Sequence, residues 1–197
     1  MDRLRAWFAH GQVRWCLFLG RHRAALVRVE RALALHPGDL HALATKAHLL
    51  AELGDKPAAR AVMAQLVQLQ PRDAAAWFNH GFLCEEAGQP EEAERAFLQA
   101  LELNPMLDRA WYGLALSLIA QRRLDDALVA LRKNTALQPM SPYGWYQLAR
   151  VHVERQEPEQ AEKIIHHLRR FEPRLAAQLQ HETGLGGVAT EGGVARA

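Results

Sequence analysis

The stretch that decides the fold is Arg72–Pro105, RDAAAWFNHGFLCEEAGQPEEAERAFLQALELNP. Asp73 stands where a side-chain acceptor can cap a first helix, Gly88 where that helix can end, and Pro90 at the opening turn of a second. Glu91, Glu92 and Glu94 complement the positive N-terminal end of that second helix. Pro105 then stops it, because it has no N–H and its φ is fixed. The stretch reads as helix, turn, helix, stop.

The same phrase recurs on both sides. Prolines fall at Pro37, Pro71, Pro105, Pro139 and Pro173, 34 residues apart. Ala25, Ala59, Ala93, Ala127 and Ala161 keep the same interval, as do Leu35, Leu69, Leu103, Leu137 and Phe171, each two residues before its proline. Three residue classes locked to one period over five copies define an internal repeat. With units starting at residues 6, 40, 74, 108 and 142, position 4 is Ala9, Leu43, Trp77, Trp111 and Trp145, and position 8 is Val13, Ala47, Gly81, Ala115 and Ala149. Position 24 is Val29, Met63, Phe97, Leu131 and Ile165. Small residues at 8 and 20 let helices approach, and large ones at 4 and 24 fill the space beside them.

On these positions the chain resembles the tetratricopeptide repeat family, over residues 6–173. The first unit departs most, with Ala9 at position 4 and Gln12 where the family usually has Leu. The resemblance implies an all-α fold, a right-handed superhelical solenoid of about five 34-residue helix-turn-helix repeats with a C-terminal capping helix. The expected organisation is one domain over 1–182, with repeats at about 6–39, 40–73, 74–107, 108–141 and 142–173 and a cap at 174–182. In the cap, Leu175 and Leu179 are expected to face the last repeat, and Arg174, Gln178 and Glu182 water. The Gly-rich segment 183–197 is expected to be a disordered tail.

Composition fits a soluble globular class: 49% hydrophobic and 23% charged residues. Net charge is +2, but residues 1–37 hold seven Arg against Asp2 and Glu30, a local +5 that leaves −3 for the rest. Cys16 and Cys84, with no CxxC, read as reduced core thiols. The apolar run WCLFLG is too short to span a bilayer and is broken by Arg14, Arg21 and Arg23, so no export signal is read and a cytoplasmic location is expected.

Catalytic motifs are missing: there is no phosphate-binding Gly loop, HExxH, nucleophile elbow or carboxylate pair with a partner base. The acidic pairs Glu85-Glu86, Glu91-Glu92 and Asp125-Asp126 read as helix-end charge. His41 and His48 share a helix face but stand two turns apart, about 10 Å, too far to chelate one ion alone. No enzyme activity, cofactor or metal is therefore expected.

The resemblance implies that first helices line an inner face, whose stripe is positions 2, 5, 9 and 12 with position 6 beside it. The candidate partner-binding residues there are His41, His48, Phe78, Asn79, Phe82, Arg109, Tyr112, Leu116, Tyr143, Tyr146, Gln147 and Arg150. Aromatic and apolar groups edged with Arg and amides suit an extended or helical protein segment. Some family members clamp a chaperone's C-terminal carboxylate. At those positions this chain has Ala44, His48, Asn79, Arg109 and Gly113, of which Asn79 matches, Arg109 can replace Lys and the other three do not fit, so chaperone-tail binding by that clamp is not expected. The expected function is a non-catalytic protein-interaction scaffold. Two alternatives involve the N-terminus: self-assembly through Trp7, Phe8, Trp15 and Phe18, or contact with an anionic membrane or nucleic acid through Arg3, Arg5, Arg14, Arg21 and Arg23.

Overall fold

The computed structural model describes residues 15, 16 and 18–185. Among these residues all regular structure is helical, in ten helices. They are α1 (His22–Leu35), α2 (Leu40–Glu52), α3 (Lys56–Leu69), α4 (Ala74–Glu86), α5 (Pro90–Leu103), α6 (Asp108–Ala120), α7 (Leu124–Leu137), α8 (Pro142–Glu154), α9 (Pro158–Arg169) and α10 (Pro173–Thr183). The all-α class and the helix-turn-helix unit are those expected. First helices start at 40, 74, 108 and 142 and second helices at 56, 90, 124 and 158, each 34 residues after the last. The chain divides into two compact units, residues 1–113 and 114–197, with the boundary inside α6.

Local chemistry sets the helix ends. The carboxylate of Asp39 accepts from Ala42 N–H at 3.0 Å, that of Asp55 from Ala58 N–H at 3.1 Å, and that of Asp73 from Ala75 and Ala76 N–H at 2.9 and 3.3 Å. Pro90, Pro142, Pro158 and Pro173 each open a helix, where a missing N–H costs nothing. Inside each unit the turn residue at position 15 is left-handed, with φ 85° at Gly54, 70° at Gly88, 62° at Arg122 and 61° at Gln156.

In the first unit, Ala59 and Ala93 are fully buried at position 20, under Met63 and Phe97 at position 24. Cys16, Ala25, Val29, Ala42 and Leu49 form one apolar cluster, and Leu43, Ala47, Leu50, Met63, Leu66 and Leu83 belong to the next. In the second unit Ala127 and Ala161 are fully buried, with Leu131, Ile165 and Leu168 beside them. There α10 packs on α9 and α8 and buries Ala176 and Leu179, while Leu175 is half-buried. Position 3 is buried as well, at Ala42, Ala76, Ala110 and Gly144. Only a small residue fits there: a Cβ on Gly144 would lie 2.1 Å from Asn134 Oδ1.

The position-4 tryptophans are half-buried, and each has a polar task. The indole N–H of Trp77 donates to Pro71 C=O at 3.0 Å, that of Trp111 to Pro105 C=O at 2.8 Å, and that of Trp145 to Pro139 C=O at 2.8 Å. The proline that ends one repeat thus offers the acceptor that seats the first helix of the next. This explains why the two residue types keep one period.

Candidate partner-binding face

In the first unit the candidate stripe lies on α2, α4 and the start of α6. His41, His48, Asn79, Phe82 and Arg109 are exposed there, and Phe78 and Tyr112 are half-buried. Phe78 leans on the buried ring of Phe97, with centroids 6.0 Å apart, and the Arg109 guanidinium carbon sits 5.0 Å from the Phe78 centroid. Arg109 is therefore held by an aromatic face, which orients its charge without neutralising it.

Between α2 and α4 lies a cavity of about 410 Å³. Its buried surface comes from Ala47, Met63 and Leu83, and the exposed Asn79 and Phe82 border it. The void traces to position 5, where this repeat has Ala44 and the three that follow have Phe78, Tyr112 and Tyr146.

In the second unit Leu116, Tyr146 and Gln147 are half-buried, and Tyr143 and Arg150 exposed. The Tyr146 hydroxyl donates to the Glu182 carboxylate on α10, which also accepts from Gln178 Nε2 at 2.7 Å. That hydrogen bond is the main reason the Tyr146 phenol is pushed above its ordinary pKa and the Glu182 carboxyl below its own. The proton therefore stays on the phenol, and the Arg150 guanidinium carbon lies 5.9 Å from the same ring. Glu182 does not simply face water: α10 takes up the one polar group of Tyr146. The α8–α9 turn holds a network in which Arg155 pairs with Asp125 and Glu157, and Glu157 Oε2 lies 2.6 Å from the buried His152 Nδ1. These charges satisfy one another and brace the turn.

Of the N-terminal candidates, Trp15 and Phe18 are stacked at 5.8 Å and exposed by 63% and 80%. Trp7 and Phe8 lie outside the described residues, as do the tail residues 186–197. The last helix runs to Thr183, and Gly184 closes it at φ 69°.

One cluster escaped sequence reasoning. Cys84 Sγ lies 3.9 Å from His80 Nε2 and 3.8 Å from Glu92 Oε2, beside a second cavity of about 410 Å³ bordered by Arg60, Trp77 and Arg95. Its electrostatics oppose nucleophilic chemistry. Burial, with Glu92 adding to it, pushes the thiol up to about 11, and burial lowers the His80 pKa, so thiol and imidazole both stay neutral near pH 7. Both cysteines are free and buried. Among the described residues no three His, Cys, Asp or Glu side chains converge on a metal position, and no helix is long and apolar enough to cross a membrane.

Two family models described as tetratricopeptide repeat match the chain, over residues 19–79 and 84–133. No curated protein matches its sequence at a significant level. Solved structures with the same fold include MamA from Desulfovibrio magneticus RS-1, 21% identical over 90% of this chain and 96% of that one, with a TM-score of 0.78. YrrB, described as a tetratricopeptide repeat protein with an unusual peptide-binding site, is 17% identical over 86% and 88%, at 0.76. PilW, a type IV pilus biogenesis factor, is 20% identical over 91% and 86%, at 0.73.

Proposed function

We propose that this chain, which belongs to the tetratricopeptide repeat family, is a non-catalytic scaffold whose first helices receive an extended or helical segment of a partner protein. The observation that carries this reading is the face of α2 and α4. An exposed Phe82 borders an open cavity with an apolar floor, and the half-buried Phe78 on the same helix carries Arg109 on its ring, with Asn79 and Arg109 as polar guides. Apolar area for affinity and a few fixed polar groups for register are what a peptide groove requires. The peptide-binding site named for YrrB, a structure of the same fold, supports the reading. Tyr112, Leu116, Tyr143, Gln147 and Arg150 are assigned to the same function on their own helices, and His41 and His48 to the margin of α2. A cytoplasmic location belongs to the same proposal and is supported by the two free thiols.

The test uses peptides selected on the intact chain from a displayed random library, with affinity followed by fluorescence anisotropy. Arg109→Ala and Tyr112→Ala should each weaken binding about tenfold, the loss of one central contact. Unchanged affinity in both variants, with the melting curve intact, would remove the assignment.

A second reading is favoured by Trp15 and Phe18, which expose two large stacked rings ahead of α1. A surface of this kind serves self-association, in which Trp7 and Phe8 would join it. Light scattering of the chain and of Trp15→Ser/Phe18→Ser decides the matter: a mass above the monomer that falls in the variant supports assembly, and a monomer in both rejects it.

A further inference from the structure

We propose that the α2–α4 cavity is the anchor pocket of the binding face and that it selects a bulky apolar side chain with a Lys or Arg close to it, so that the partner segment is apolar and basic. The inference rests on the reading of the first-helix face above and adds the chemical class of its ligand.

The pocket is a property of one repeat. Along α2 it is lined by Ala44, Ala47 and Ala51, with His48 and Glu52 beside them, whereas position 5 of the three following repeats holds a ring. Met63 and Leu83, which pack with Leu43, Ala47 and Leu50 of α2 in one apolar cluster and are 5% exposed each, form its apolar floor. At about 410 Å³ the space is near the lower end of ligand pockets, the scale of one or two side chains rather than an extended cofactor. An apolar anchor is the occupant such a lining rewards.

The charge beside the pocket selects the rest. α2 ends at Glu52 and α4 at Glu86, both lining the cavity, and neither helix has a basic residue in its last turn. The negative ends of two helices therefore coincide with added carboxylates, opposite to the arrangement that favours a helix terminus. Lys56 pairs with Glu86 at 3.2 Å, but Glu52 forms no ion pair among the described residues. Glu85, half-buried beside Glu86, has its carboxyl pushed up chiefly by burial and secondarily by Glu86, with Lys56 acting the other way. A Lys or Arg reaching the mouth complements these negative helix ends, and an acidic segment is repelled. The exposed amide of Asn79 at the border can both donate to and accept from a peptide backbone.

The experiment selects a displayed random-peptide library on the intact chain at low salt and measures anisotropy-derived Kd for the enriched peptides. The expected winners place Lys or Arg within a few residues of a Leu, Ile, Met or aromatic residue. Ala44→Phe, which fills the pocket with the ring its neighbouring repeats already carry, should weaken them about tenfold or more. Glu52→Gln, an exposed change that leaves packing alone, should weaken them several-fold and flatten the salt dependence. Enriched peptides lacking Lys and Arg, or a Kd indifferent to both variants, overturn the inference. Peptides insensitive to Ala44→Phe and Glu52→Gln but weakened by Arg109→Ala refute the pocket and leave the wider face standing. Peptides insensitive to all of these variants refute both.

Discussion

The ring of Phe97 occupies the space that a side chain on Gly113 would need: a Cβ built there would lie 2.4 Å from Phe97 Cζ. Gly81 meets the same ring from its own helix, with a Cβ distance of 2.9 Å to Cδ1 and Cε1. Phe97 is thus the large member of a packing set whose small members come from two successive first helices. Alanine in place of a mid-helix glycine ordinarily adds about 0.5–1 kcal/mol of stability. Gly113→Ala should instead cost about 1–3 kcal/mol, because the ring is enclosed and must leave its rotamer or push the helices apart. Urea unfolding reads the sign directly, and Phe97→Leu in the same chain should recover part of the loss through their coupling. A stabilised Gly113→Ala would show that the ring is free to move.

The turn inside each repeat makes a second prediction. Position 15 needs a left-handed backbone, which Gly54 and Gly88 adopt without strain and Gln156 adopts at φ 61° with a Cβ in the way. Gln156→Gly should therefore stabilise the chain by about 1 kcal/mol, and Gly88→Ala should destabilise it by a similar amount. Thermal melts of the two variants should move in opposite directions. Equal shifts would mean that the turn is relaxed by its neighbours.

What was legible in the sequence follows from how each feature is encoded. Ala59 and Phe97 announce the repeat because their sizes are set by contacts that every unit repeats, so the constraint returns every 34 residues. Leu35 and Leu69 keep the same period yet are 74% and 49% exposed, so period alone did not mark the core. The small stripe at Ala42, Ala76, Ala110 and Gly144 was equally visible in the spacing, and a search for conserved smallness would have found it. The cavity over Met63 is harder to read, since it arises from what Ala44 lacks. The Tyr146–Glu182 bond crosses from a repeat to the last helix, and no period relates the two residues. His80, Cys84 and Glu92 occupy positions 7, 11 and 19 of one unit, but only the pairing of α4 with α5 brings them together.

The environment of Cys84 predicts an inert thiol. Burial first, and Glu92 second, raise its pKa from 9.0 to about 11, so the reactive thiolate is scarce at neutral pH. In a Cys16→Ser background, the native chain at pH 8 should react with a thiol-disulfide reagent about a hundredfold more slowly than the urea-unfolded chain, roughly the ratio of thiolate fractions for the shifted and unshifted thiol. A native rate within a few-fold of the unfolded rate would place Cys84 at the surface and reopen its chemistry with His80.

The bond from Tyr146 to Glu182 makes the docking of α10 dependent on pH in two directions. Glu182 has a folded pKa below its unfolded one, so its contribution is fully present above the unfolded carboxyl value, about 4.3, and is lost as pH falls through the lower folded value. Tyr146 has a folded pKa above its unfolded one, so its contribution is fully present below about 10 and is lost as pH rises through the higher folded value. Protection of the α10 amides against hydrogen exchange, taken relative to the intrinsic rate at each pH, should therefore be highest between those limits and fall on either side. Tyr146→Phe keeps the ring under Arg150 but removes the donor, so it should raise exchange in α10 within the window and flatten the profile. If Tyr146→Phe keeps the wild-type profile, the phenol is not what holds α10, and Tyr146 is free to meet a partner with its hydroxyl.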